Sequence, residues 1–109
     1  MSVHAKDEVL FEVETPLGFC VRVTWSRWEF ISTVKHPAMS GKELSVKAAL
    51  ETPDQIRQSR SDSKVFLFYK AAQSRWWVCA VAKKREGSGF LITAYPTDAI
   101  KEGVRVWPK

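Results

Sequence analysis

Three side chains of this chain combine the chemistry and the placement needed for proton transfer: His36, Thr93 and Tyr95. A histidine titrates nearest to neutral pH, so His36 is the first candidate for a general acid or base. It stands between a predicted helix and Pro37, and its alternative role is a helix C-cap, whose imidazolium meets the negative helix end. Thr93 and Tyr95 alternate along a predicted strand and so present a hydroxyl and a phenol on one face, although β-propensity alone also accounts for both.

Cationic side chains on neighbouring predicted strands would complete a site for an anionic ligand. Arg57, Arg60 and Lys70 lie on these strands, and Ser59 shares the face of Arg57. We expect a concave sheet face that carries cations, hydroxyls and aromatic rings. Cations neutralise phosphate and aromatic rings stack on unpaired bases, so such a face suits single-stranded RNA.

The charge of the chain is divided unequally between its halves. Residues 1–54 carry six Lys and Arg against eight Asp and Glu, a net charge of −2, whereas residues 55–109 carry eleven against four, a net charge of +7. A basic half is expected of a protein that meets phosphate, and a solvated basic surface is the alternative. The same two interpretations apply to the tip of a predicted hairpin, which holds Lys83, Lys84 and Arg85.

Several kinds of site and of protein are not predicted. The chain shows no glycine-rich phosphate loop, no His-x-Glu or Cys-x-x-Cys pair and no nucleophile elbow. Cys20 and Cys79 match no metal spacing, so we expect neither a metal nor a cofactor. The longest uncharged apolar run, residues 76–82, is far shorter than the roughly 20 residues of a membrane helix, and the first eight residues show no secretory signal. We therefore expect a cytoplasmic protein without membrane contact.

Apolar periodicity predicts an α+β fold in which an N-terminal β-hairpin and two helices are followed by an antiparallel sheet of about four strands. Residues 1–8 are predicted to be a flexible N-terminus and residues 9–109 a single domain. Ser26 and Ser40 are each followed three positions later by a glutamate, the capping-box pattern of a helix start. We expect the first helix to end before Pro37 and the second near Glu51.

The order and spacing of short motifs in this chain resemble a known superfamily. In chain order the motifs are Trp28-x-x-Ile31, His36-Pro37, Pro53-x-x-Ile56-Arg57-x-Ser59-x-x-Asp62, Phe68-Tyr69, Gly89-Phe90-x-x-Thr93-Ala94-Tyr95 and Ile100-Lys101-x-Gly103-x-x-x-Trp107. This order is similar to that of the small phage and plasmid-borne members of the barnase–EndoU–colicin–RelE-like (BECR) ribonuclease superfamily, over about residues 9–107. The superfamily fold, with helices followed by an antiparallel sheet, agrees with the predicted elements.

The resemblance implies metal-independent RNA cleavage that leaves 2′,3′-cyclic phosphate and 5′-hydroxyl ends. It implies that His36 is an acid or base, that Arg57 and Lys70 hold the phosphate, and that Thr93 and Tyr95 position it or transfer protons. Ser59 and Asp62 would shape the site. The RNA contacts predicted outside the catalytic group are Ser59, Arg60, Lys83, Lys84, Arg85 and Lys101.

The resemblance also implies a toxin of a toxin–antitoxin or mobile-element system, whose inhibitor we expect to be an acidic antitoxin or immunity protein. Two other functions stay open. Similar sequences often carry a second histidine where this chain has Phe30, which favours an RNA-binding module that does not cleave. Four tryptophans are more than a small core can hold centrally, which favours a protein-interaction domain; they are Trp25, Trp76, Trp77 and Trp107.

Overall fold

The computed structural model describes residues 8–73 and 75–109, and within them it shows one mixed β-sheet with helices packed on one side. The strands, numbered in chain order, are β1 (Val9–Glu14), β2 (Cys20–Thr24), β3 (Gln55–Gln58), β4 (Val65–Ala71), β5 (Trp77–Arg85), β6 (Ser88–Thr97) and β7 (Val104–Trp107). The helical segments are α1 (Trp25–Phe30), a π-helix that continues it (Ile31–Lys35), a 3-10 turn (Pro37–Met39) and α2 (Glu43–Glu51). The strands lie side by side in the order β1-β2-β6-β5-β4-β3-β7.

This topology corrects the predicted architecture of a hairpin and two helices followed by an antiparallel sheet of about four strands. The hairpin belongs to the same sheet as the later strands, because residues 20–22 of β2 pair with residues 88–90 of β6. That pairing is parallel, whereas every other neighbouring pair in the described sheet is antiparallel. Alternation of apolar residues indicates where strands are but not which strands are neighbours, so the sequence pattern did not reveal this contact.

One face of the sheet is closed by the helices. Trp28 of α1, Ile31 of the π-helix and Leu50 of α2 are at most 3% exposed and pack against this face. The strand side chains that meet them are buried to the same degree; they are Val21, Val23, Ile56, Phe68, Val78, Ala80 and Ala94. Burial of this apolar surface is the main favourable contribution to folding.

The opposite face, which we call the open face, carries a smaller apolar cluster whose buried members are Leu67, Tyr69, Cys79 and Val81. Two cross-strand rows form it on β4, β5 and β6. Tyr69, Cys79 and Tyr95 make one row, and Leu67, Val81 and Thr93 make the next. Ile100, from the loop between β6 and β7, packs against the same cluster. The open face therefore has a firm apolar floor beside polar side chains.

A β-bulge in β6 decides which of its residues reach the open face. Val81 pairs with Thr93 but Ala82 pairs with Leu91, so Ile92 is an extra residue in the strand. Leu91 is accordingly buried in the core under the helices, while Thr93 lies on the open face beside Val81. Strict alternation would have placed Leu91 and Thr93 on the same face.

Both predicted helix starts are wrong, and local backbone geometry explains each. Thr24, and not Ser26, caps α1, because the backbone of Thr24 is extended and its hydroxyl accepts a hydrogen bond from the Arg27 amide at 3.2 Å. The helix predicted from Ser40 begins only at Glu43, since Gly41 adopts a φ of +79° that a helix does not allow. The predicted end of this helix at Glu51 is confirmed.

The predicted flexible N-terminus, residues 1–8, falls almost entirely outside the described residues. Of that segment only Glu8 is described, and its carbonyl accepts a hydrogen bond from the Trp25 amide at 2.9 Å. Among the helices that the structure describes, none has the length and apolar character needed to cross a membrane.

Candidate active site

A cleft of about 390 Å³ on the open face gathers polar side chains from four separate parts of the chain. We call it the acid–base cleft. Its lining residues are His36, Ser59, Val65, Leu67, Val81, Thr93, Tyr95 and Glu102. The apolar members come from β4 and β5, whereas the polar members come from β6 and from loops around the sheet. Four of the predicted site residues, those at positions 36, 59, 93 and 95, thus surround one cavity.

His36 reaches this cleft from the end of the helical segment that follows α1. The last turn is a π-helix, and the His36 amide donates to the carbonyl of Ile31 at 2.7 Å, five residues back. Such π-turns are rare and are frequent at functional sites. The ring centroids of His36 and Tyr95 lie 5.6 Å apart, with the ring planes at 44°. The backbone of His36 therefore ends a helix, as expected from its alternative role as a helix C-cap. Its imidazole ring lies beside the phenol ring of Tyr95.

Tyr95 belongs to a row of side chains that burial keeps protonated. Cys79 is the cross-strand neighbour of Tyr69 on β4 and of Tyr95 on β6. Burial disfavours the ionised forms, which raises the pKa of Cys79 to about 12 and also raises the pKa values of Tyr69 and Tyr95. At neutral pH, Tyr95 can therefore donate a hydrogen bond or a proton but does not act as a base.

Thr93 offers a hydroxyl that no other described residue uses. Its Oγ1 is buried and has no hydrogen-bond partner within the part of the chain that the structure describes. Buried polar atoms are nearly always paired with protein or with water, so the Thr93 hydroxyl can pair with a water molecule or with a group bound in the cleft. An oxygen of a bound phosphate or ribose is such a partner.

Glu102 lines the same cleft, and the sequence reasoning missed it. It is the variable position between Lys101 and Gly103 in the last motif, and it lies in a loop without periodicity. Its carboxylate adds a hydrogen-bond acceptor to a cleft that already holds an imidazole, a phenol and two hydroxyls. A carboxylate and an imidazole facing one cavity are a pair that can take one proton and give another.

Arg57 lies on the open face, yet its guanidinium is used to hold a loop. Nη2 donates to the carbonyl of Gly103 at 3.1 Å and Nη1 to the carbonyl of Ile100 at 3.4 Å. These bonds fix the segment that carries Glu102. Arg57 therefore has a positioning role, and the predicted phosphate contact by Arg57 stays a prediction, because each carbonyl takes one of the two N–H groups of a terminal nitrogen.

Lys70 lies on the face of the sheet that the helices cover. It pairs with Val78, whose side chain is in the core, and its Nζ donates to the carbonyl of Thr52 at 2.6 Å and to the Thr52 hydroxyl at 3.0 Å. The sheet therefore separates Lys70 from the acid–base cleft. This placement corrects the implied role of Lys70 as a phosphate ligand and gives it a role at the end of α2.

Two other cations lie next to the acid–base cleft. A neighbouring cleft of about 340 Å³ is lined by Arg60 and Lys101 together with Ser59 and Glu102, which line both clefts. Its remaining lining residues are Ser61 and Gly103. The predicted RNA contacts Arg60 and Lys101 therefore lie beside the polar cluster.

The three predicted cations of the hairpin tip have separate environments. Lys83 pairs with Asp62 at 3.1 Å, and a hydrogen bond from the Lys64 amide together with Lys83 lowers the pKa of that carboxyl. Lys84 lies 5.6 Å from the centre of the Phe19 ring, on the side of the helices, while Arg85 lies 5.2 Å from the centre of the Phe90 ring. The hairpin tip is thus not one basic patch.

The remaining predictions and the comparisons add no further ligand. Among residues 8–73 and 75–109, no group of three or more His, Cys, Asp or Glu side chains is arranged to hold a metal ion. Comparison with protein-family models, with curated proteins and with solved structures finds no match.

Proposed function

We propose that the acid–base cleft is the active site of a metal-independent endoribonuclease. The observation that carries the proposal is the meeting of His36, Tyr95, Thr93 and Glu102 around one cavity on the open face. These groups supply an acceptor and donors for protons, which is what the transfer of an RNA phosphate from O5′ to O2′ requires. The motif order that resembles the BECR ribonucleases also supports this proposal through His36, Thr93 and Tyr95, although the helices-then-sheet architecture expected from the resemblance is not the one observed.

The reaction assigns a direction to each proton. The Glu102 carboxylate takes the proton of the ribose 2′-hydroxyl, and the freed oxygen attacks the adjacent phosphorus. The bond from phosphorus to O5′ breaks, and the His36 imidazolium gives its proton to O5′. Tyr95 and Thr93 donate hydrogen bonds to the non-bridging oxygens, where negative charge increases in the transition state. The products carry a 2′,3′-cyclic phosphate and a 5′-hydroxyl.

Arg60 and Lys101 provide the positive charge that this reaction needs near the cleft. They line the adjoining cleft, which shares Ser59 and Glu102 with the acid–base cleft. A cation beside the reacting phosphate stabilises the additional negative charge and also draws the polyanionic substrate to the site. Arg57 contributes indirectly, by fixing the loop of Glu102.

In the cell we propose the role of a cytoplasmic toxin that cleaves RNA until an inhibitor blocks it. The predicted inhibitor is an acidic antitoxin or immunity protein, because the half of the chain from residue 55 onward carries a net charge of +7. This partner would have to cover the acid–base cleft or its adjoining cations to stop cleavage.

The two alternative functions have less support from the structure. Phe30, at the place of the second histidine in similar sequences, lines a different cleft with Thr24, Ser26 and Arg27, so its identity leaves the acid–base cleft unchanged. Of the four tryptophans, Trp107 and Trp77 pack against the two apolar clusters, whereas Trp76 is 48% exposed. An RNA-binding module and a protein-interaction domain are therefore kept as outcomes of the test.

The test is incubation of the purified protein with total RNA in EDTA, followed by analysis of the fragment ends. We expect fragments with 2′,3′-cyclic phosphate ends from the wild type and none from His36→Ala. Tyr95→Phe removes one donor to the developing charge and should lower the cleavage rate about 100-fold. Glu102→Gln keeps the shape of the side chain without the base and should lower the rate by about the same factor.

Lys70→Met is the matched control, because it removes a cation on the covered face while keeping an unbranched side chain. It should cleave at the wild-type rate. Equal cleavage by wild type and His36→Ala would remove His36 from the mechanism, and wild-type rates in Tyr95→Phe and Glu102→Gln as well would show that the cleft is not the active site. Intact RNA with every protein would reject the enzyme, and a native gel of the same samples would then separate RNA binding from no RNA affinity.

A further inference from the structure

A second cleft on the open face has the composition of a nucleotide-binding site. Its volume is about 490 Å³, and we call it the arginine cleft because Arg22, Arg27 and Arg85 all line it. Phe90 lies between them in the lining, and the Arg85 guanidinium stands 5.2 Å from the centre of its ring. No residue is shared with the acid–base cleft, so the catalytic proposal leaves this cluster unexplained.

The strand register places the arginine cleft on the same face as the acid–base cleft. Arg22 stands between Val21 and Val23, which are fully buried under the helices, so its own side chain points to the open face. Arg22 pairs with Phe90, and Phe90 pairs with Lys83, whose neighbours in the alternation are Val81 and Arg85. Phe90 and Tyr95 pair with Lys83 and Cys79, which are four residues apart on β5, so they are separated by about 13 Å at the rise of a strand. One extended strand of nucleic acid could occupy both clefts.

The side chains of the arginine cleft fit a phosphate and an unpaired base. Arginine forms planar, bidentate hydrogen bonds with phosphate oxygens. An aromatic ring stacks on any base, and a guanidinium placed over the ring extends that stacking surface. Glu12 and Glu86 also line the cleft, which leaves it with a formal charge of +1. The Glu12 carboxylate is 4.0 Å from Arg22, at the limit of an ion pair, and both side chains are about half exposed, so this pair holds Arg22 only weakly.

We propose that the arginine cleft binds a nucleotide of the substrate strand that lies several positions from the cleaved bond, with Phe90 and Arg85 stacking on its base and Arg22 and Arg27 contacting its phosphates. This inference rests on the proposed ribonuclease function, which places the cleaved bond of the RNA in the acid–base cleft. It predicts that the enzyme prefers single-stranded RNA long enough to reach both clefts over a dinucleotide that fills the acid–base cleft alone.

The experiment measures the affinity for a fluorescent 2′-O-methyl RNA of about eight nucleotides, a length within the site sizes of basic, aromatic grooves. Lacking a free 2′-hydroxyl, this RNA is not cleaved, so binding is read without catalysis. We expect Arg85→Ala and Phe90→Leu each to raise the Kd about five- to fifty-fold, as loss of one stacking contact does. Phe90→Tyr should restore the affinity, because it restores the ring.

Lys84→Ala is the matched control, since Lys84 precedes Arg85 in β5 but its Nζ lies over Phe19 on the side of the helices. It should leave the Kd unchanged, and thermal unfolding should show that each variant is folded. A wild-type Kd in Arg85→Ala and Phe90→Leu would overturn the subsite and leave the ribonuclease proposal intact. The expected Kd changes in a protein that cleaves no RNA would overturn the ribonuclease and leave the subsite as an RNA-binding site. No binding of the oligonucleotide by the wild type at low salt would overturn both.

Discussion

At the scale of single residues, burial determines which polar groups of the open face can carry charge. The row of Tyr69, Cys79 and Tyr95 is kept neutral by desolvation, so it can donate hydrogen bonds without drawing counter-ions into the sheet. His36 and Glu102 stand at the border of this neutral row, where the cleft opens. In general acid–base catalysis, some groups stay neutral and donate hydrogen bonds while others gain and lose protons. The open face provides both kinds of group.

The neutral row predicts a loss of stability in alkali. The pKa of Cys79 is about 12 in the folded protein against 9.0 in the unfolded chain, so below pH 9 its thiol is neutral in both states. As the pH rises from 9 towards 12, the unfolded chain ionises first, and the free energy of unfolding falls by up to about 1.4 kcal/mol per pH unit. Tyr69 and Tyr95 act in the same direction. Urea unfolding at about pH 8 and about pH 10.5 should show a smaller fall for Cys79→Ala than for the wild type. Equal falls would show that Cys79 does not contribute.

At the scale of elements, one loop contact sets the position of Glu102. Gly103 has a φ of +78°, and a Cβ there would lie 2.5 Å from the carbonyl oxygen of Gln58 in β3. Gly103→Ala should therefore lower the free energy of unfolding by about 2–3 kcal/mol and displace Glu102, which should also slow cleavage. Gly18→Ala is the matched control, because Gly18 has a φ of +89° with open space around it and so carries the backbone strain alone. A similar loss of stability in both variants, measured by urea unfolding, would contradict a role for the close contact.

The same elements show which parts of the fold can be predicted from the sequence and which cannot. The hairpin of β1 and β2, the strands of the meander and the end of α2 follow from alternation, turn residues and proline, which act locally. The parallel contact of β2 with β6, the bulge at Ile92 and the cap at Thr24 depend on partners distant in sequence or on backbone angles. Lys70 shows how this limit affects the prediction of a functional site. Lys70 shares one face of β4 with Phe66 and Phe68, but only tertiary packing shows that the helices cover this face.

The candidate site likewise contains some residues that the sequence identifies and others that it does not. His36, Thr93 and Tyr95 are visible from their chemistry and from the motif order, and the structure gathers them around one cleft. Glu102 is an acidic residue in a loop, and nothing in its neighbours marks it in the sequence. Arg57 is visible as a cation, but its engagement by the carbonyls of Ile100 and Gly103 is a tertiary contact that the sequence does not show.

At the scale of the whole molecule, the open face combines two clefts along β6, and the cations around them are what a polyanion would meet. Arg60 and Lys101 lie beside the acid–base cleft, and Arg22, Arg27 and Arg85 line the arginine cleft. Lys42, which precedes α2 on the side of the sheet that the helices cover, lines none of these clefts, whereas Arg27 reaches the arginine cleft from α1. The net charge of +5 is therefore less informative than its distribution between the faces.

This distribution predicts which cations control the salt dependence of RNA binding. Each phosphate neutralised on a single strand contributes about −0.7 to the slope of log K against log salt concentration. Arg60→Ala and Lys101→Ala should each weaken the binding of uncleavable RNA and make the slope shallower by about that amount. Lys42→Ala removes the same charge from the other side of the sheet and should leave the slope unchanged, although it lowers the net charge equally. Equal changes for all three variants would show that RNA responds to the total charge and not to the open face, and fluorescence anisotropy across a salt series distinguishes the two.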